Sequence, residues 1–454
     1  MNSNIICPEA GKDYPRISYG EGPYLYDETG KRYIDGASGT VAANLGHAIP
    51  EAIAVLEEQA RKIGLHPHCF TSTVLEEYVE RLVHFSPFDS GKAWTVTSGT
   101  EAVENALKIA VQCQQLRGEQ GRYKILGRWG SYHGNSIFAL DVGGMAIRRS
   151  VFQPLLKDFP HLPKAYCYRC PFGKVADQCD LECARTVEDV IQREDPGTVA
   201  AIILEPVVGA ALGALPAPEG YFQIIRGLCN KYGIVLIADE VMTGFGRTGN
   251  NFGIDQWGVV PDIIAAGKGM GCGYYPLSGV IINQNIVEVF ENKRTPFMGG
   301  HTYACNPLGA AIGHFVLDYL KQHDLIVRVK NTGARFFEKL QTLRALDLVG
   351  DVRGLGFLFG VELVMDQSSK APFPASLQIS RQVVETAQEK GLIIYPGKGS
   401  YDGQNGDHIL IAPPLNIEEE VLDTVFQLVE ESLAEVTEGL RRKTRDQAAP
   451  RAFQ

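Results

Sequence analysis

The chain has no apolar run approaching the roughly 20 consecutive residues that a membrane helix takes. It also lacks a basic start followed by an apolar core. It opens MNSNIICPEAGKDYPR, which is not the pattern of a secretory signal. Positive charge is in short supply: 43 Lys and Arg stand against 53 Asp and Glu, a formal net charge of −10. Such a balance excludes a broad electrostatic attraction to nucleic acid or anionic lipid. The one basic run, Arg441-Arg442-Lys443 with Arg445, falls in a polar stretch and reads as solvated. Internal repeats and long low-complexity segments are absent as well. These absences predict a cytoplasmic protein that binds neither nucleic acid nor membrane, and whose ten cysteines are mostly reduced thiols.

What is present is an ordinary globular composition, 45% apolar and 21% charged, spread over 454 residues. That length fits two or three packed units around a large core. The middle of the chain alternates strand-like and helical patterns, which argues for a mainly parallel α/β sheet. VAAIIL runs into Glu205 and Pro206. GYFQIIRGLCNKYG reads as a helix closed by Gly233. IVLIADE is a buried strand ending in Asp239 and Glu240, and DIIAAG stops at Lys268. In such sheets ligands bind beyond the carboxyl ends of the strands, where all three runs deliver polar groups. Residues 22 to 36 read as a hairpin about Asp27-Glu28-Thr29-Gly30. Near the other end, Asn416 with Glu419 predicts a helix start, and Val421, Leu422, Val425, Leu428, Val429 and Leu433 form the helix's apolar face.

Three features point to chemistry. Lys268 follows an apolar strand and sits between Gly267 and Gly269, free to reach into a cleft, as Schiff-base lysines do. Asp239 ends a buried strand, where a carboxylate can hold a proton on a pyridine nitrogen. WTVTSGTEAVENALKIA reads strand, turn, helix, and the helix N-terminus at Ser98-Gly99-Thr100 offers backbone N–H groups and a favourable dipole to a phosphate. Each has a plainer reading: a surface lysine, a helix cap or salt bridge, and simple N-capping.

Taken together, these features resemble the class III (ω-type, fold type I) aminotransferases that use pyridoxal 5′-phosphate (PLP). The resemblance runs from YLYDETGKRYIDG through NLGHAIPE, TSGTEAVENALK, SYHGNS, ILEPVVGA and LIADEVMTGFGRTG. It continues through PDIIAAGKGMGCGYYPLSG, GGHTYACNPLGAA and VRGLGFLFGVEL to APPL. It implies a fold type I enzyme, a mainly parallel central sheet flanked by helices with a smaller α+β domain. The expected boundaries are 1–60 for an N-terminal segment of the small domain and 61–310 for the large PLP-binding domain. Residues 311–436 are expected to form the C-terminal small domain and 437–454 a polar tail.

The resemblance assigns Lys268 to the Schiff base and to proton shuttling, and Asp239 to the ring nitrogen. Val241 and Tyr132 pack on opposite faces of the ring, with His133 in support. Gly99 and Thr100 form the phosphate cup. Thr302 reaches the phosphate of the neighbouring subunit, which implies a homodimer, with a tetramer left open. Glu205 is a carboxylate near the cofactor and Asp239. The reaction implied is ping-pong transfer of an amino group from an amine donor to a keto acid, pyruvate or 2-oxoglutarate. A mutase, epimerase or decarboxylase on the same fold is the alternative, and a scaffold without chemistry the remote one.

The chain departs from the family's pattern just before Pro413-Pro414-Leu415. Many members hold a substrate carboxylate there with an arginine, and here the position is Leu410. This favours an ω-amino acid or amine donor. Arg128, Arg353 and Lys398 are the other cations considered for an anion contact. Small residues in ASGTVAAN leave room for a sizeable donor. Finally, Cys167, Cys170, Cys179 and Cys183 have the spacing C-x2-C-x8-C-x3-C. It fits four thiolates around zinc or a surface insertion of free or paired thiols, and no metal is assigned.

Overall fold

A computed structural model describes residues 4–6 and 14–448, without the side chains of Asp177 and of residues 443–448. At its centre is a seven-stranded sheet in the order β4 (Gly91–Val96), β12 (Ser278–Asn283), β11 (Ile263–Ala266), β10 (Val235–Glu240), β7 (Val199–Leu204), β5 (Lys124–Arg128), β6 (His161–Leu162). The strands from β11 to β6 run parallel, and β12 is antiparallel to both its neighbours. Every residue of β7, β10 and β11 is buried. That explains their unbroken apolar sequence, because helices cover both faces.

The alternation of side chains divides these strands between two cores. Ile203, Val235, Ile237 and Ile263 pack with Val103, Ala106 and Ala110 of the helix Gly99–Leu116. Ile202, Leu236 and Ile264 face the other way, into the core that holds Phe222 and Ile225 of the helix Tyr221–Tyr232. Gly233 ends that helix at φ +68°, a conformation glycine adopts without strain.

The two ends of the chain meet in a second sheet. β1 (Ile17–Glu21), β2 (Tyr24–Asp27) and β3 (Arg32–Asp35) form the expected hairpin with one extra strand, and β15 (Leu392–Ile393) pairs parallel to β3. A third sheet has the order β13 (Val349–Leu355), β14 (Leu358–Leu363), β17 (Asp407–Ile411), β16 (Tyr395–Lys398), and β8 (Val207–Val208) pairs with β9 (Leu215–Pro216). Arg247, fully buried, joins these parts. It donates to Phe357 O at 3.0 Å, Pro413 O at 2.6 Å and Asn44 Oδ1 at 2.7 Å.

The C-terminal helix corrects two expectations. It runs Glu419–Ala448, so its start is not capped by Asn416, whose side-chain amide is spent on Leu45 O at 2.9 Å. It also continues well past Thr437, where a polar tail was expected. Val436 is buried, Leu440 packs on the core, Arg441 pairs with Asp347, and Arg442 with Glu438 one turn back. These contacts hold turns that composition alone does not favour. Residues 449–454 of that tail lie outside the described residues.

Candidate active site

The carboxyl edge of the central sheet gathers the chemistry-bearing side chains. Glu205 follows β7, Asp239 is the fifth residue of β10, and Lys268 comes two residues after β11. Lys268 takes φ +46°, in the left-handed region, at a cost of about 1–3 kcal/mol for a non-glycine residue. Its glycine neighbours are required by space. A Cβ on Gly269 would sit 2.3 Å from Asn44 Nδ2, and one on Gly267 would sit 2.6 Å from Ser278 Oγ. The Lys268 amine donates to Thr40 O at 2.9 Å.

The short segment Tyr132–Asn135 ties the rest together. The Tyr132 N–H donates to Glu205 Oε1 at 2.9 Å, and the other Glu205 oxygen accepts the Gly209 N–H at 3.0 Å. His133 Nδ1 is 2.7 Å from Asp239 Oδ2, and Asp239 Oδ1 accepts the Val241 N–H at 3.1 Å. The Asn135 N–H donates to Thr100 Oγ1 at 3.2 Å. Gly134, at φ +141°, has no room for a side chain, since an added Cβ would lie 2.8 Å from that same hydroxyl. Gly99 is equally confined: its Cβ would meet Val241 Cγ1 at 2.6 Å. Ser98 caps the helix Gly99–Leu116 by accepting the Glu101 N–H at 3.2 Å. The Gly99 and Thr100 N–H groups have no acceptor within the helix.

Burial shapes the electrostatics. It pushes the Lys268 amine down to about 8, with Arg247 adding to the effect and Glu205 and Asp239 opposing it. Burial raises the Glu205 carboxyl above its usual range; His133 opposes this and Asp239 reinforces it. The Tyr132 phenol is likewise raised by burial, with Arg148 acting the other way. His133 Nε2 is buried without a hydrogen-bond partner.

A cavity of about 840 Å³ opens in front of this edge. Tyr132 and Lys268 line it, with Thr40 and Val41 from the small-residue segment and Leu410 from β17. His133, Glu205 and Asp239 are buried and outside the cavity wall, joined to Tyr132 and Val241 by the bonds above, and Gly99 packs on Val241. Thr302 is not part of the cavity wall and is exposed, although its neighbour His301 approaches Glu101 at 3.6 Å.

Of the three alternative anion contacts, only Lys398 reaches the cavity. Arg128 is buried and donates to Glu205 O at 3.1 Å. Arg353 is buried too, bonded to Gly213 O at 2.8 Å and paired with Asp351 at 3.0 Å and Glu362 at 2.7 Å. Sequence reasoning missed Arg148, Arg381 and Tyr395, which also line the cavity. The Arg148-Arg149 tandem was the available signal, but nothing in the sequence tells which of the two turns inward. Cys167, Cys170, Cys179 and Cys183 are unpaired thiols. Among the described residues no group of three or more His, Cys, Asp or Glu side chains is arranged to hold a metal. No helix among them is long and apolar enough to cross a membrane.

The profile of class-III aminotransferases matches residues 9–433. An uncharacterized aminotransferase of Bacillus subtilis, YodT, is 35% identical over 444 residues, 97% of this chain and 100% of that one. The adenosylmethionine-8-amino-7-oxononanoate aminotransferase of Geobacter sulfurreducens is 34% identical, over 93% and 92% of the two chains. Among solved structures, a thermostable (S)-enantioselective omega-transaminase from Thermomicrobium roseum superposes with a TM-score of 0.88. It is 34% identical, and the match covers 94% of this chain and 93% of that one. A PLP-bound aminotransferase mutant from Vibrio fluvialis gives a TM-score of 0.88 at 32% identity, covering 95% and 96%. With a fold type I sheet, a lysine at its carboxyl edge and this likeness along its length, the chain belongs to the class-III, PLP-dependent aminotransferases.

Proposed function

We propose that Lys268 carries PLP and that the protein moves an amino group from an ω-amino acid or amine donor to pyruvate or 2-oxoglutarate. One cavity serves donor and acceptor in turn, in a ping-pong cycle, and two copies of the chain form a cytoplasmic homodimer. The observation that carries the reading is a lysine amine that lines the cavity and is lowered to about 8, at the same sheet edge as the buried, linked pair His133–Asp239.

The residues present fit PLP. Gly99 and Thr100 present free N–H groups at a helix start, where a phosphate is favoured, and a side chain on Gly99 would collide with Val241. His133 Nε2, buried without a hydrogen-bond partner on the ring that holds Asp239, is open to one further polar contact. Asp239 is the carboxylate for the ring nitrogen, and Val241 and Tyr132 are the two ring-face contacts. When bound, the ring withdraws electrons from the substrate carbon that loses its proton.

The chain's own groups do the remaining work. Lys268, close to neutral pH in its lowered affinity for protons, gives and takes the proton at the reacting carbon. Asp239 holds a proton at the ring nitrogen, and His133 fixes the carboxylate's orientation from Nδ1. Glu205 locks the Tyr132 backbone through its N–H, which sets the position of the ring that caps the site. Thr302, exposed and outside the cavity wall in one chain, is read as a contact to the partner's cofactor.

Supplying donor alone, acceptor alone and both together to PLP-loaded enzyme tests the proposal. Sustained turnover is expected only with both. Continued product from donor alone would assign a decarboxylase, mutase or epimerase instead.

A further inference from the structure

The cavity carries an unmatched positive charge that the sequence pattern did not reveal. Its wall includes Arg148, Arg381 and Lys398 besides Lys268, and Asp407 as its one acidic residue. Asp407 is not a counter-ion. It is buried and accepts the Ser380 N–H at 2.9 Å and the Ser380 hydroxyl at 2.7 Å. Arg381 is committed to Glu385 at 3.0 Å. Arg148 has no ion pair or side-chain hydrogen bond among the described residues, and it is exposed to the cavity's solvent.

Its placement is fixed by its neighbour. Arg149 is buried and donates to Leu140 O and Gly143 O, both at 3.0 Å, and to Asp158 at 2.8 Å. That anchor holds the single turn Ala146–Arg149 and leaves Arg148 on the cavity side. There its guanidinium lies over the Tyr132 ring, 5.0 Å from the centroid. The aromatic face attracts the cation and restricts it, while the N–H fork stays free for an anion. Arg148, Tyr132 and Lys268 line the same cavity, so the guanidinium faces the space that Lys268 also faces. Lys398 also lines a neighbouring cavity, with Lys164 and Asp402.

We infer that Arg148 is the specificity residue that grips the carboxylate of an ω-amino acid donor, in place of the arginine absent at Leu410. This deepens the reading above and rests on it. A planar carboxylate accepts two parallel N–H bonds from the fork, which an alkylamine of similar length, having no carboxylate, cannot do. The protein therefore selects donors that are anionic at the end away from the amine, and Lys398 on the same cavity wall adds to the attraction.

The test uses PLP-loaded enzyme and the donor half-reaction alone, so that the acceptor's own carboxylate does not enter. β-Alanine and 4-aminobutyrate are each compared with n-propylamine and n-butylamine, following the visible absorption of the cofactor. Arg148→Gln is expected to raise half-saturation for the amino acids about 10-fold or more, and that for the alkylamines by no more than about 2-fold, a surface-level change. Arg148→Lys is expected to fall between. Equal shifts for both donor classes, or none for either, overturn the inference and leave the aminotransferase reading standing. A wild-type enzyme that responds to no donor, amino acid or amine, overturns both.

Discussion

His133 Nδ1 and Asp239 Oδ2 stand 2.7 Å apart with both side chains buried, one from the turn after β5 and the other from the end of β10. The pair makes a prediction about proton retention. Asn at position 239 keeps the shape and loses the charge that holds a proton on a ring nitrogen. Asp239→Asn is expected to lower kcat by about 100-fold or more, the scale of losing a positioned proton partner, while circular dichroism stays native. His133→Ala leaves the carboxylate buried without its partner and is expected to weaken PLP retention in dialysis.

Glu205 accepts two backbone N–H groups, from Tyr132 and Gly209. Glutamine offers one acceptor oxygen and turns its NH₂ toward the other donor. Glu205→Gln is expected to cost about 1–3 kcal/mol of stability, the penalty of a buried donor left unsatisfied. Denaturant unfolding of the apo-protein measures it. Tyr132 is positioned by the same bond, so a parallel drop in kcat is expected.

Gly99 tests the phosphate cup by space alone. A methyl group there would lie 2.6 Å from Val241 Cγ1, so helix or valine must shift. Gly99→Ala is expected to weaken PLP affinity about 10-fold or more, the scale of overpacking that costs 1–3 kcal/mol. The rest of the fold should survive, and titration of apo-protein with PLP separates the two effects.

Lys268 yields a pH dependence with a definite sign. An amine attacks an aldehyde only when unprotonated, and burial lowers this one to about 8 against about 10.4 for an unperturbed lysine. The rate of PLP capture by apo-protein is therefore expected to climb with pH below about 8 and to level off above it. A rate still climbing through pH of about 10 would return Lys268 to an ordinary lysine. Stopped-flow absorption across that range gives the profile.

The sheet was legible because β7, β10 and β11 are buried on both faces, so their sequence is continuously apolar and ends abruptly in Glu205, Asp239 and Lys268. The hairpin at Asp27 and the helix ended by Gly233 announce themselves through turn and cap chemistry. The segment Tyr132–Asn135 was recognisable only as part of a family pattern. Its bonds to Glu205, Asp239 and Thr100 span between 35 and 106 residues of sequence, and nothing local encodes them. Arg148 was missed for a similar reason: adjacent arginines look alike until tertiary contacts bury Arg149 and turn its neighbour to the cavity. Asn416 misled because a good capping residue was taken up by a carbonyl far away in sequence, Leu45 O.

The central claim is a covalent carbon–nitrogen linkage between PLP and one particular amine. Borohydride reduction of the PLP-loaded protein, followed by proteolysis and mass analysis of the labelled peptide, tests it most directly. The account predicts a single pyridoxyl mark on Lys268, removed together with the visible band by Lys268→Ala. A mark on any other lysine, or none while the protein remains coloured, would contradict it.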